Sequence, residues 1–121
     1  MSSNLTPFSC GLEAALAVVG GKWKCIILWH LSKGHKRYAE LRRHIGDISE
    51  KMLVQELKAL ESDGIIARKD FKEKSPHVEY TLTKFGSALY NSLKPLCKWG
   101  WRHKERIAQL PRQKTTIKKA S

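Results

Sequence analysis

Mainly helical with one small β-hairpin is the fold class that this 121-residue chain predicts, on three observations. Apolar residues recur at helical spacing from residue 12 to residue 62. The period then changes to alternation in two runs, Ile66–Phe71 and Val78–Leu82, about a polar loop, and helical spacing returns from Lys84. The length provides for one domain, and 41% hydrophobic residues suffice for a core, which excludes wholesale disorder. No apolar run reaches the ~18–20 residues of a membrane span. Met1 to Leu5 has no basic residue and no signal-peptide pattern, so a cytoplasmic protein is expected.

Residues 12–19 are strong helix formers or apolar, and Gly20-Gly21 stops them. Trp23 to Leu31 is apolar nearly all round and reads as a buried helix, with His30 and Cys25 packed in it and Gly34 beyond its end. Arg37 to Ile45 places Tyr38, Leu41 and Ile45 on one face and Arg42 and Arg43 on another, a short amphipathic helix. Gly46-Asp47 is a turn, and Ser49 caps the helix Glu50–Ser62 by accepting from a free backbone N–H. In that helix Leu53, Leu57 and Leu60 form the apolar row, while Glu50, Lys51, Gln55 and Lys58 look outward.

After Gly64, the two alternating runs about Lys72–His77, with Pro76 in the turn region, form the hairpin. A last helix from Lys84 to about Leu110 carries Leu89, Leu93, Leu96 and Trp99, and Pro95 predicts a kink or a break in it. Residues 1–110 are thus one expected domain and 111–121 a basic, disordered tail. Two short helices about a tight turn, followed by a hairpin, describe a winged helix-turn-helix.

Charge points the same way. Twenty-three basic against 11 acidic residues leave a net +12, which suggests a polyanionic partner. Residues 21–45 carry +6 and 101–121 another +6, whereas 46–65 carry −3. Basic charge therefore gathers near Lys36–Arg43, in the Lys72/Lys74 loop and at the C-terminus (Arg112, Lys114, Lys118, Lys119), as on a binding face with a trailing tail. Three widely spaced cysteines, Cys10, Cys25 and Cys97, fit neither a disulfide framework nor a zinc site. There is no glycine-rich phosphate loop, metal-spaced cluster or nucleophile elbow, so neither an enzyme nor a bound cofactor or metal is expected.

Several blocks at ordered separations resemble the HxlR-type, MarR-like winged helix-turn-helix regulators of bacteria. They are Cys10 with the GLEAALAVVGGKW block ending at Trp23, RYAEL (37–41), ISEKML (48–53), LKALESDGII (57–66), VEYTLTKFG (78–86) and the Leu89 to Trp99 ladder. The resemblance covers roughly residues 10–100. Asn91 stands where the family usually has proline, and Pro95 is extra.

The resemblance implies that the helix after Ser49 lies in the major groove of double-stranded DNA, with Ser49, Glu50, Lys51 and Gln55 at base edges. Arg37, Arg42 and Arg43 on the preceding helix would hold phosphates, and Lys72, Lys74 and His77 at the wing tip would touch backbone or minor groove. It further implies a homodimer through the terminal helices, using Leu12, Leu16, Val19, Leu89, Leu93, Leu96, Trp99 and Trp101; the alternative for some of these is intramolecular core.

Cys10 precedes the first helix, where the dipole favours a thiolate, and in the family a cysteine there marks redox- or electrophile-responsive members. Cys97, on the other terminal helix, is its expected partner over Cys25; the alternative is an inert thiol. The expected function is a sequence-specific regulator, a repressor before an activator, acting as a homodimer on a pseudo-palindromic operator, with an oxidant or small molecule as the candidate effector and an inert Cys10 the favoured reading of that thiol. An architectural DNA-coating protein and a winged protein-interaction module are the alternatives.

Overall fold

In the computed structural model, residues 8–72 and 74–112 are described, and they form two compact units, Met1–Ala88 and Leu89–Ser121. The first unit contains α1 (Gly11–Val19), α2 (Lys22–Leu31), β1 (Lys36–Arg37), α3 (Tyr38–Ile45), α4 (Glu50–Ser62), β2 (Ile66–Phe71) and β3 (His77–Leu82). Helix α5 (Lys84–Arg102) starts in the first unit and runs on into the second, where α6 (Lys104–Ala108) follows. The three strands form one antiparallel sheet in the order β1-β3-β2. Mainly helical with a small sheet is therefore the fold class observed, and the helix-turn-helix and its wing lie where the periods placed them.

The core belongs to the first unit. Ile27, Leu28 and Leu31 of α2, Leu41 of α3, Leu53, Leu57 and Leu60 of α4, and Ile48, Ile65, Ile66 and Tyr80 bury their side chains there. In α4 the leucines recur at i, i+4 and i+7, so one stripe meets the core and the opposite stripe meets solvent. The Ser49 hydroxyl caps α4 by accepting from the Met52 N–H at 3.1 Å. Removing it in Ser49→Ala is expected to cost ~1 kcal/mol, read as a lower denaturation midpoint with an unchanged slope.

At the other end of α4, Gly64 takes φ +74°, a conformation that side chains with a Cβ resist. Its N–H and that of Ile65 close on the Glu61 and Leu60 carbonyls, at 3.0 and 2.9 Å. Thr83 then ties the wing's exit to the same place. Its hydroxyl donates to the Gly64 carbonyl at 2.6 Å and accepts from the Gly86 N–H at 3.0 Å, capping α5.

Four expectations change. A third strand, β1, precedes α3, so Arg37 lies on an extended strand and not on the helix. Helix α2 is one-sided: Trp29 is 42% exposed and Cys25 is exposed, because counting Trp and Cys as core residues hid a stripe opposite Ile27, Leu28 and Leu31. The chain stays helical through Pro95 and breaks at His103, whose φ of −111° and ψ of 18° leave the helical region. Proline removes one backbone bond from a long helix, whereas the residue at His103 departs from helical torsions altogether. Finally, Pro111 and Arg112 are helical, and the rest of the expected tail, with Lys114, Lys118 and Lys119, lies outside the described residues.

Candidate nucleic-acid interface

With Leu41 and the three α4 leucines turned inward, helical geometry leaves Arg42 and Arg43 of α3 and Glu50, Lys51 and Gln55 of α4 exposed. An ion pair joins the two helices on that side, Arg42 Nη1 to Glu50 Oε2 at 3.5 Å, between two half-exposed groups. Such a pair is worth little and yields readily to a competing anion. Ser49 is exposed with its oxygen committed to the α4 cap, so a base contact from it would use its remaining hydrogen. Tyr38 sits beside this pair with its hydroxyl buried and without a hydrogen-bond partner among the described residues. Burial first, then the Glu50 charge, raises its pKa.

Arg37 enters from β1. Its backbone N–H donates to Glu40 Oε1 at 2.9 Å, which holds that carboxyl below the usual range and fixes the start of α3. The guanidinium is left outside the turn, exposed, and makes no ion pair among the described residues. Two concave regions flank the start of α3. One, of about 540 Å³, is lined by Tyr38, Ala39, Arg42, Arg43 and Gly46. The other, of about 450 Å³, is lined by Arg37, Tyr38, Ala39, Arg68, His77, Val78 and Tyr80. The phosphate-facing candidates therefore converge on two adjoining clefts.

The wing is built differently from the expectation for its tip. Lys72 and Lys74 are exposed in the turn, as the polar loop predicts. His77 is instead the first residue of β3, paired with Phe71 in the ladder and stacked on its ring at 4.7 Å. Only 18% of its side chain is exposed. Its Nδ1 lies 2.7 Å from the Ser75 carbonyl and its Nε2 lies 2.8 Å from Glu79 Oε2. The sequence reading missed Arg68 and Glu79, because their roles follow from strand register: Glu79 stands between Arg37 on β1 and Lys69 on β2.

The apolar candidates divide. Leu12 and Leu16 are exposed on α1, whereas Val19 is buried in the core of the first unit. In the second unit Leu89 and Leu93 are half-buried, and Leu96, Trp99 and Trp101 expose 63%, 52% and 66% of their surface. At ~100° per residue, Trp101 projects from a different side of α5 than the Leu89, Leu93 and Leu96 row. No residue beyond Gly86 is buried among the described residues, so the described part of the second unit has no core of its own.

Cys10 and Cys97 are exposed thiols, at the N-cap of α1 and on α5. Cys25 is exposed as a residue, but its sulfur lies part-buried 3.8 Å from the Val19 carbonyl, and that partial burial pushes the thiol's pKa up, which disfavours it as a nucleophile. His30 packs edge-on against Trp29 and stacks on His44, and burial, then the His44 charge, lowers its pKa. No group of three or more metal-ligating side chains occurs among the described residues, and no helix there is long and apolar enough to cross a membrane.

The family model described as HxlR-like helix-turn-helix matches residues 18–108. Over 100 residues the chain is 46% identical to the uncharacterized HTH-type transcriptional regulator YtcD of Bacillus subtilis (strain 168), covering 83% of this chain and 79% of that protein. The redox regulator HypR in its reduced form superposes with a TM-score of 0.78 at 37% identity, covering 84% of this chain and all of that one. Its oxidized form gives 0.72 at 41% identity, covering 77% and 96%. The reduced transcriptional regulator YodB of B. subtilis gives 0.69 at 35% identity, covering 77% and 92%.

Proposed function

The chain belongs to the HxlR-like helix-turn-helix family of transcriptional regulators, and from that premise we propose that it is a homodimeric repressor of a pseudo-palindromic operator. One observation carries the DNA reading: α3 and α4 turn their leucines to one core and leave Arg42, Arg43, Lys51 and Gln55 exposed together across a tight turn. In this reading Ser49, Glu50, Lys51 and Gln55 meet base edges, Arg37, Arg42 and Arg43 meet phosphates, and Lys72 and Lys74 extend the contact along the wing. The family match crosses both compact units, which supports one functional domain over 1–110 acting in the cytoplasm.

The dimer reading rests on surface that one chain leaves uncovered. An amphipathic helix draws its stability from packing its apolar face, and α5 exposes Leu96 and Trp99 while the described part of the second unit buries no residue. A second copy, joined through α5 and the Leu12/Leu16 face of α1, would cover these side chains and place two reading helices on related half-sites. Repression needs no further module, since a bound dimer excludes polymerase.

The likeness to HypR supports a thiol response. Cys10 and Cys97 of the second subunit would be oxidised to one disulfide, two electrons and two protons passing to the oxidant, and the half-site spacing would change.

Selection from a random duplex pool at about 0.15 M salt tests the whole reading, because non-specific affinity is weak there. Reduced protein should enrich a two-fold-symmetric motif. Retention without a motif would favour architectural coating of DNA, and no retention a protein-interaction module. Oxidant should release the selected duplex from wild type but not from Cys10→Ser; release from both would end the Cys10 assignment.

A further inference from the structure

Tyr38 is the first residue of α3, half-buried, with its hydroxyl oxygen shut off from solvent. No hydrogen-bond partner reaches that oxygen among the described residues. A buried phenol is normally paired, because the loss of its hydration is otherwise uncompensated. Phenylalanine would fill the same place without that cost. Packing therefore accounts for the ring and not for the hydroxyl.

Arg42 follows Tyr38 by four residues, so the two share a face of α3. Long helical side chains lean back over the turn before them, which brings Arg42 against Tyr38, and both line the 540 Å³ cleft. From there the Arg42 guanidinium reaches Glu50 of α4 at 3.5 Å. Burial first, and then the Glu50 charge, raise the phenol's pKa while Arg42 opposes them, so the hydroxyl keeps its proton at neutral pH. A phenol with its proton donates, a carboxylate only accepts and a guanidinium only donates. Of the two charged neighbours, Glu50 alone can take a hydrogen bond from the hydroxyl, and Arg42 occupies it.

We infer that Tyr38 is a positioning residue for Glu50: when Arg42 leaves the ion pair for a backbone phosphate, the Tyr38 hydroxyl takes over one carboxylate oxygen. The other oxygen is then free for a base edge, held at the start of α4 by a contact that the free protein does not make. The exposed pair yields readily to a stronger anion, so the exchange starts from a weak contact. Donation by the hydroxyl holds the carboxylate without cancelling its charge, and it lowers the cost of parting Arg42 from Glu50. The group left without a partner in the free protein gains one in the complex.

This inference rests on the duplex reading, and half of its test needs no duplex. In the full-length Arg42→Ala protein the ion pair is already gone, so the hydroxyl should hold Glu50 without DNA. A double-mutant cycle of Tyr38→Phe and Glu50→Ala, read from denaturation midpoints, should show coupling in that background and none with Arg42 present. Tyr38→Phe alone should melt at or above the wild-type temperature, since it removes an unpaired buried group. On the selected duplex it should bind about three- to tenfold more weakly, with the wild-type slope of log K against log salt because no charge is lost. It should also relax preference at the base position that Glu50→Ala relaxes. A Tyr38→Phe protein less stable than wild type would show the hydroxyl already paired and overturn the inference. No coupling in the Arg42→Ala background would do the same. A loss of affinity uniform across sequences would place the hydroxyl on phosphate and overturn the hold on Glu50. Coupling without any duplex retained by wild type would overturn the duplex reading and the role in recognition, and leave the Tyr38–Glu50 contact standing.

Discussion

Replacing Gly86 by alanine is expected to destabilise the protein by about 3 kcal/mol or more, lowering the melting temperature by on the order of 10 °C. A Cβ built at Gly86 comes 1.9 Å from the Ile65 carbonyl oxygen and 2.9 Å from its carbon. These are backbone atoms at the junction of α4 and β2, and they cannot yield as the end of a flexible side chain does. The Thr83 N–H holds the carbonyl where it is, donating to it at 3.1 Å, and the Thr83 hydroxyl, whose hydrogen points mainly to Gly64, also lies 3.1 Å from it. Alanine has a better helix propensity than glycine by ~1 kcal/mol, which offsets only part of the clash. Gly100, later in α5, has open space around the same built atom. Gly100→Ala should therefore stabilise by up to ~1 kcal/mol, and thermal unfolding of both variants measures the contrast. Equal stability of Gly86→Ala and wild type would refute the close approach of α5 to Ile65.

The second large effect concerns binding. Arg42→Ala/Arg43→Ala is expected to weaken every duplex by ~10–100-fold at 0.15 M salt and to make the salt slope shallower by about two. Neither guanidinium is needed by the core, since both are exposed on the side of α3 opposite Leu41, so the fold should survive and circular dichroism should not change. Arg42 has an added role. It pairs with Glu50, and without it that carboxylate is left uncompensated at the start of α4. Glu50→Gln in the double variant should then recover part of the lost affinity. Lys51→Ala serves as the contrast: a base contact changes the ranking of operators, while a phosphate contact lowers all of them together. Anisotropy titrations with the selected duplex and a scrambled one distinguish these outcomes. A double variant with wild-type slope would show that α3 does not face the phosphates.

Period and punctuation determined most of the fold from the chain alone. Leu53, Leu57 and Leu60 recur at helical spacing, Ile66 to Leu82 alternate, and Gly64 separates the two, so α4 and the hairpin could be read directly. The cap at Ser49 was equally local, one hydroxyl and an N–H three residues on. The exposed charges of α3 and α4 followed, because a helix whose apolar stripe is known has its polar stripe fixed by geometry. What tertiary structure decided were relations between residues far apart in sequence. A two-residue strand carries no period, so β1 appears only through its pairing with β3, and that pairing sets Arg37 opposite Glu79. Hairpin register stacks His77 on Phe71 and draws it from the wing tip into a two-acceptor clamp. Gly86 matters because Ile65, twenty-one residues earlier, comes back against it. The physical reason is common to all three. Backbone periodicity is a local property that side-chain order along the chain records, whereas register and close approach depend on which surfaces meet after collapse.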